Sequence, residues 1–146
     1  MPITKLDVED HVQYLDLRFQ LGEHDAIISK HEFAEKYAMI EEQGGSIYVH
    51  KKDGKVIATG KLLVEIKFFD NVAHIEDVVV DKDHKGIGYG KAMVHHLLHI
   101  AKERRCYKVV LQCADSLEPF YESSGLTRSG ISMVKFSQSG VAGRIL

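Results

Sequence analysis

The chain has no tryptophan, two prolines and two cysteines, and over its 146 residues the formal charge is only −2. Each shortage excludes something. No apolar run approaches the roughly twenty residues needed to cross a bilayer, and the start lacks a signal-peptide pattern, so no membrane partner is expected. The near-balanced charge gives no basic footprint for nucleic acid, so any recognition of phosphate must be local. Cys106 and Cys113 flank one expected strand, too far apart on it to bridge and without metal-like spacing. Reduced, buried, structural thiols in a reducing compartment are predicted, with no metal. The nine histidines show no ligand spacing. His74 stands apart because it abuts the acid pair Glu76-Asp77. What remains, 45% apolar and 27% charged, is ordinary globular usage and enough for one packed core.

Hydrophobic periodicity orders the elements. Pro2 to Leu6 reads as a short strand. Asp7 caps a helix with Val8, Val12, Leu15 and Phe19 on its apolar face, broken at Gly22 to Asp25. Ser29 with Glu32 fits a capping box before a second helix carrying Phe33, Tyr37 and Ile40, which ends at Gly44-Gly45. Strands follow at 46–51 and 56–66, joined by the hairpin signal Lys52-Asp53-Gly54-Lys55. A loop over 67–73 leads to a strand at 74–81, and Met93, Leu97 and Ile100 mark the buried side of a helix over 92–104. A strand at 107–113, a short helix at 117–124 and a last strand at 126–136 complete the order β-α-α-β-β-β-α-β-α-β. There is no repeat and no internal boundary. One α/β (α+β mixed) domain over 1–136 is expected, with a loose glycine- and serine-containing tail at 137–146.

The chemistry concentrates in residues 76–91, where Val78, Val79 and Val80 run into a loop holding Gly86, Gly88 and Gly90 and then directly into a helix. Closely spaced glycines at a helix start let several backbone N–H groups converge where the helix dipole favours negative charge, which suits a pyrophosphate. A nucleotide P-loop would need Ser or Thr after its lysine, and here Lys91-Ala92 follows. A dinucleotide loop would place its third glycine at Lys91 or Met93, with an acid near Cys106 to Val109. A calcium loop starting at Asp81 has Lys85 at its third ligand and Ala92 in place of the bidentate Glu. All three lack an essential group.

The surviving pattern, Lys85-Gly86-Ile87-Gly88-Tyr89-Gly90, resembles the pyrophosphate loop of the GNAT superfamily of acyl-CoA-dependent N-acetyltransferases. Lys85 stands where that family usually has Arg or Gln, a change that keeps a point charge for phosphate. The element order matches the GNAT order as well. The resemblance implies a GNAT fold, a mostly antiparallel central sheet whose central strands splay, and acetyl-CoA as co-substrate. Its pantetheine would lie against the backbone of Val78 and Val80, and its pyrophosphate against Lys85, Gly86, Ile87, Gly88, Tyr89, Gly90 and Lys91. As side chains alone the valines are ordinary sheet core.

A narrower resemblance runs over roughly residues 60–136. Glu65-Ile66-Lys67-Phe68, His74 to Val80, the glycine loop, Cys106-Tyr107-Lys108 and Phe120-Tyr121-Glu122 are similar, at matching spacing, to the eukaryotic glucosamine 6-phosphate N-acetyltransferase family. It implies acetyl transfer to the sugar's 2-amino group by direct attack in a ternary complex, neither cysteine being expected at the site. Tyr121, by itself a core aromatic, would stabilise or protonate the departing thiolate. Glu76 and Asp77, by themselves a solvated strand pair, would be catalytic and sugar-binding. Lys67, Phe68 and Lys135 would complete the sugar-phosphate site. A homodimer is implied, with the last strand against the partner, since Ile131 and Met133 would otherwise line an exposed edge. Gln112 and Leu117 depart from the family pattern, which has an acid and an Asn there. Two alternatives stay open: a GNAT acting on another amine (polyamine, antibiotic or protein N-terminus), and a non-catalytic acyl-CoA-binding regulator. The end Arg144-Ile145-Leu146 keeps only the last residue of a peroxisomal Ser-Lys-Leu address. A cytoplasmic location is expected, a peroxisome-type organelle being the alternative.

Overall fold

The computed structural model describes residues 2–22 and 28–137. The residues expected to break the first helix beyond Gly22, and the tail from residue 138 with its Arg144-Ile145-Leu146 end, lie outside them. The elements are β1 (Ile3–Lys5), α1 (His11–Phe19), α2 (Lys30–Glu42), β2 (Gly45–Lys52), β3 (Lys55–Glu65), β4 (Asn71–Val80), α3 (Tyr89–Glu103), β5 (Cys106–Val110) and α4 (Glu118–Glu122). Local chemistry sets the ends as expected. Asp7 caps a 3-10 turn that runs into α1, and the Ser29 side chain accepts the Glu32 N–H at the start of α2. Asp53 and Gly54, both at positive φ, make the tight β2–β3 turn.

The five strands form one sheet in the order β1-β2-β3-β4-β5. The first three pairings are antiparallel and β4–β5 is parallel. Helices cover both faces. On one, Tyr14 and Leu17 of α1 and Phe33 and Tyr37 of α2 pack on Ile47, Val49, Val56 and Val79. On the other, Met93, Leu97 and Ala101 of α3 pack on Ala58, Leu62, Ala73 and Ile75. Gly60 is the point of closest approach, because a Cβ there would lie 2.9 Å from Leu97 Cδ1 and 3.0 Å from Met93 Cγ.

Three expectations are corrected. The buried face of α1 is Tyr14 and Leu17, with Leu15 half-buried and Val12 58% exposed, because the helix starts three residues later than its cap, after the 3-10 turn. The helix after the glycines begins at Tyr89 rather than Ala92. Residues 126–136 form no strand. A strand needs a hydrogen-bonded neighbour, and a space of about 860 Å³ separates this segment from the end of β5. It is moored instead by Arg128, whose Nε donates to Glu118 Oε2 at 3.1 Å, and by a Gln112–Ser132 hydrogen bond. Ile131 and Met133 are left 92% and 90% exposed.

Candidate active site

β4 and β5 pair only from Asn71↔Cys106 to His74↔Val110. Beyond His74 they separate, so residues 75–80 have a neighbour strand on the β3 side alone. The gap is a cleft of about 380 Å³ lined by Leu21, Glu76, Asp77, Val78, Cys113, Leu117 and Tyr121, among others. The strand alternation that would send Glu76 and Asp77 to opposite faces is broken here. Thr59 pairs with Val79 and Lys61 with Glu76, so Gly60 opposes two residues, and Asp77 takes φ 55° at this bulge. Both acids therefore line the cleft.

Asp77 is held by cations that sequence reasoning missed. Its Oδ2 lies 3.4 Å from Arg18 Nη1 on α1 and 4.0 Å from Lys61 Nζ on β3. The same Arg18 Nη1 donates to Tyr14 Oη at 2.9 Å. Gly60 in a strand interior was the one sequence signal for this bulge. Nothing local in the sequence links Arg18 to Asp77. His74 turns to Glu65, with its Nε2 3.1 Å from Oε1, rather than to the acids beside it.

Tyr121 closes the mouth of the cleft from α4. Burial raises its phenol pKa and the neighbouring Cys113 adds to the effect, so the hydroxyl is a proton carrier throughout the neutral range. Phe120 packs edge-on to Tyr121 with ring centroids 4.9 Å apart. It also sits where a Cβ on Gly90 would be, at 3.2 Å, which ties α4 to the first turn of α3. Cys113 is exposed and in the cleft, not buried structure as expected, because β5 ends at Val110 and the chain beyond it leaves the sheet. Leu117, also lining the cleft, is 47% exposed.

The glycine loop follows the C-terminal end of β4, the half of the strand that borders the cleft. Gly88 caps α3 with φ 107° and Gly86 has φ 79°, while Lys85, Gly86, Ile87 and Gly88 are all exposed. A Cβ on Gly86 or Gly88 would touch nothing, so the loop is uncovered at the positive end of a 15-residue helix. Tyr89 and Lys91 lie in its first turn. At the root of the loop Asp81 is buried, receiving Gln20 Nε2 at 2.9 Å and His84 Nδ1 at 2.8 Å. These bonds, Gln20's first, hold its carboxyl down at about 2. Among the described residues no group of acids, histidines and cysteines is arranged to hold a metal ion, and no helix is long and apolar enough to cross a membrane.

Lys67 and Phe68 do not join this cleft within one chain. They sit fully in solvent in the β3–β4 hairpin, which ends at Asn71, roughly 17 Å along β4 from Glu76 at about 3.3 Å per residue. Lys135 is exposed in the segment outside the sheet.

The sheet thus carries a parted parallel strand pair, a bulge at the cleft and an open glycine loop at the start of the next helix. The chain belongs to the acetyltransferase (GNAT) family, whose model matches residues 12–126. It is 33% identical over 142 residues to the glucosamine 6-phosphate N-acetyltransferase of Arabidopsis thaliana, covering 92% of this chain and 95% of that one. The Dictyostelium discoideum glucosamine 6-phosphate N-acetyltransferase 1 is 34% identical over 136 residues, covering 88% and 85%. The crystal structure of the Arabidopsis enzyme superposes with a TM-score of 0.87 at 32% identity, covering 94% of this chain and 98% of that one.

Asp81 generates a pH prediction. Its folded pKa lies below its ordinary 3.8, so its stabilisation is complete above that value and is lost as pH falls toward about 2. Urea midpoints measured from pH 6 to pH 2 will fall more steeply for wild type than for Asp81→Asn. Parallel curves would show that the Asp81 bonds do not favour the charged form.

Proposed function

We propose that this protein transfers the acetyl group of acetyl-CoA to the 2-amino group of D-glucosamine 6-phosphate, giving the N-acetylglucosamine 6-phosphate used to build UDP-N-acetylglucosamine. The observation that carries this reading is likeness along nearly the whole chain to relatives of that single activity. The cleft supplies what the reaction needs. The parted edge of β4 at Val78 and Val80 offers backbone groups to the amide-rich pantetheine, and the nest at Gly86 and Gly88, with Lys85, takes the pyrophosphate.

The neutral amine attacks the thioester carbonyl carbon, and the new C–N bond replaces the C–S bond. A backbone N–H of the β4 edge polarises the carbonyl oxygen. The thiolate leaves with the proton of the Tyr121 hydroxyl, the amine's proton passes to water beside Asp77, and solvent returns a proton to the Tyr121 phenolate. Asp77, lying between Arg18 and Lys61, orients the sugar as an anion and Glu76 binds it alongside. Transfer is direct. An acyl-enzyme needs a thiol activated by a base, and among the described residues Cys113 has no hydrogen-bonded partner.

The functional unit is a homodimer in the cytosol. Phe68 and Phe69 of the β3–β4 hairpin and Ile131 and Met133 of the C-terminal segment are each at least nine-tenths exposed, apolar surface that a second copy would cover. Because Lys67 lies far from Glu76 in its own chain, it and Phe68 serve the site of the second copy, and Lys135 of the C-terminal segment joins them at the sugar phosphate.

A screen of amines scored by thiol release tests the activity. Glucosamine 6-phosphate turning over far faster than glucosamine, polyamines, aminoglycosides or peptides supports the reading. Coenzyme binding without turnover on any amine would replace it with a regulator.

Tyr121→Phe keeps the ring and removes only the hydroxyl, so kcat will fall roughly ten- to a thousand-fold with coenzyme affinity and thermal midpoint little changed. Wild-type turnover would reduce Tyr121 to packing. A mixing experiment checks the shared site. Lys67→Ala raises KM for the sugar phosphate, and refolding that variant one-to-one with Tyr121→Phe will restore about a quarter of wild-type activity, because half the dimers then hold one intact site. No recovery above the separate variants would place Lys67 and Tyr121 in the same site or Lys67 in none.

A further inference from the structure

The last turn of α1 grips the strand–loop region at two points. Arg18 reaches Asp77 at one end of the cleft edge. Gln20 reaches the other end and uses both halves of its amide: Nε2 donates to Asp81 Oδ1 at 2.9 Å, and Oε1 accepts the Lys82 N–H at 2.9 Å. Between the two points lie Val78, Val79 and Val80. Asp81 is itself fixed, its N–H donating to Ile57 O at 2.7 Å while its Oδ2 receives His84 Nδ1 at 2.8 Å and the Asp83 N–H at 3.3 Å. Beyond it the chain has little else to orient it. Lys82, Asp83, Lys85, Gly86, Ile87 and Gly88 are exposed, and the glycines have empty space around them. The direction in which the loop leaves β4 is therefore set at its root.

We propose that Gln20 is a positioning residue for the coenzyme: its two-ended amide fixes the glycine loop relative to the open edge of β4. A ligand that spans both, with amides on the strand and a pyrophosphate in the nest, binds well only when the two are held at the right separation. The inference rests on the coenzyme placement given above. Gln20 suits the role because it is exposed, so its side chain fills no core volume, yet it alone joins the acceptor-side helix to the coenzyme loop by a donor and an acceptor together. A glutamate in its place can accept from Lys82 N–H but cannot, when ionised, donate to Asp81. The groups facing Asp81 are His84 and Asp83 of the following turn, Lys55 of β3 and Gln20 of α1.

Acetyl-CoA binding to the full chain, followed by calorimetry, tests this with three variants. Gln20→Ala will weaken binding about ten-fold and raise KM for acetyl-CoA equally, leaving kcat and KM for the amine within about two-fold, while the urea midpoint falls modestly with the lost Asp81 bond. Gln20→Glu will bind poorly near pH 8 and recover toward wild type near pH 5, where one proton shared with Asp81 restores the bond; wild type will show no such recovery. An unchanged coenzyme affinity in Gln20→Ala, or Gln20→Glu tracking wild type across this range, overturns the proposal. Gly88→Asp separates the two failures. If it abolishes binding while Gln20→Ala does not, only the role of Gln20 is wrong. If Gly88→Asp also binds normally, the coenzyme does not sit in the loop and both readings fall.

Discussion

The parting of β4 from β5 after His74 is the constraint on which the rest of the site depends. A parallel pair that continued to Val80 would satisfy its own backbone groups and leave nothing for a ligand. Because the pair stops, the second half of β4 keeps one open edge, half-buried at Val78 and Val80, where an amide without a partner is costly. A ligand rich in amides relieves that cost. The bulge opposite Gly60 belongs to the same departure from regularity. It turns β4 at Asp77, brings two acids to one side, and coincides with the position where α3 packs most tightly on the other face.

Charge is arranged along this edge in a consistent order. The glycine loop and the start of α3 make the positive, phosphate-binding end. The acids Glu76 and Asp77 stand in the middle, with Arg18 and Lys61 beside Asp77. Two cations thus stand beside one carboxylate, while burial pushes the phenol of Tyr121 above its ordinary value across the same cleft.

The surface tells a second story. The most exposed large apolar residues, Ile66, Phe68 and Phe69 and then Ile131 and Met133, fall in the β3–β4 hairpin and in the C-terminal segment. The C-terminal segment has the alternating composition of a strand and lacks only a neighbour to pair with. The hairpin carries a lysine that its own cleft does not use.

Much of this was legible in the residues themselves. The capping of both N-terminal helices, the Asp53-Gly54 turn and the glycine turn at Gly86 and Gly88 are local effects of one to four neighbouring residues, so the sequence alone determined them. The element order followed from periodicity for the same reason. Three things depended on long-range contacts. Which face of α1 is buried was decided by how the preceding 3-10 turn docks on the sheet. Whether 126–136 becomes a strand depends on a hydrogen-bonding partner that the chain does not provide for itself. The company Asp77 and Asp81 keep was fixed by α1 arriving across the sheet edge, because Arg18 and Gln20 stand about sixty residues from the acids they hold. No local pattern carries that information; only the packed fold brings the two together.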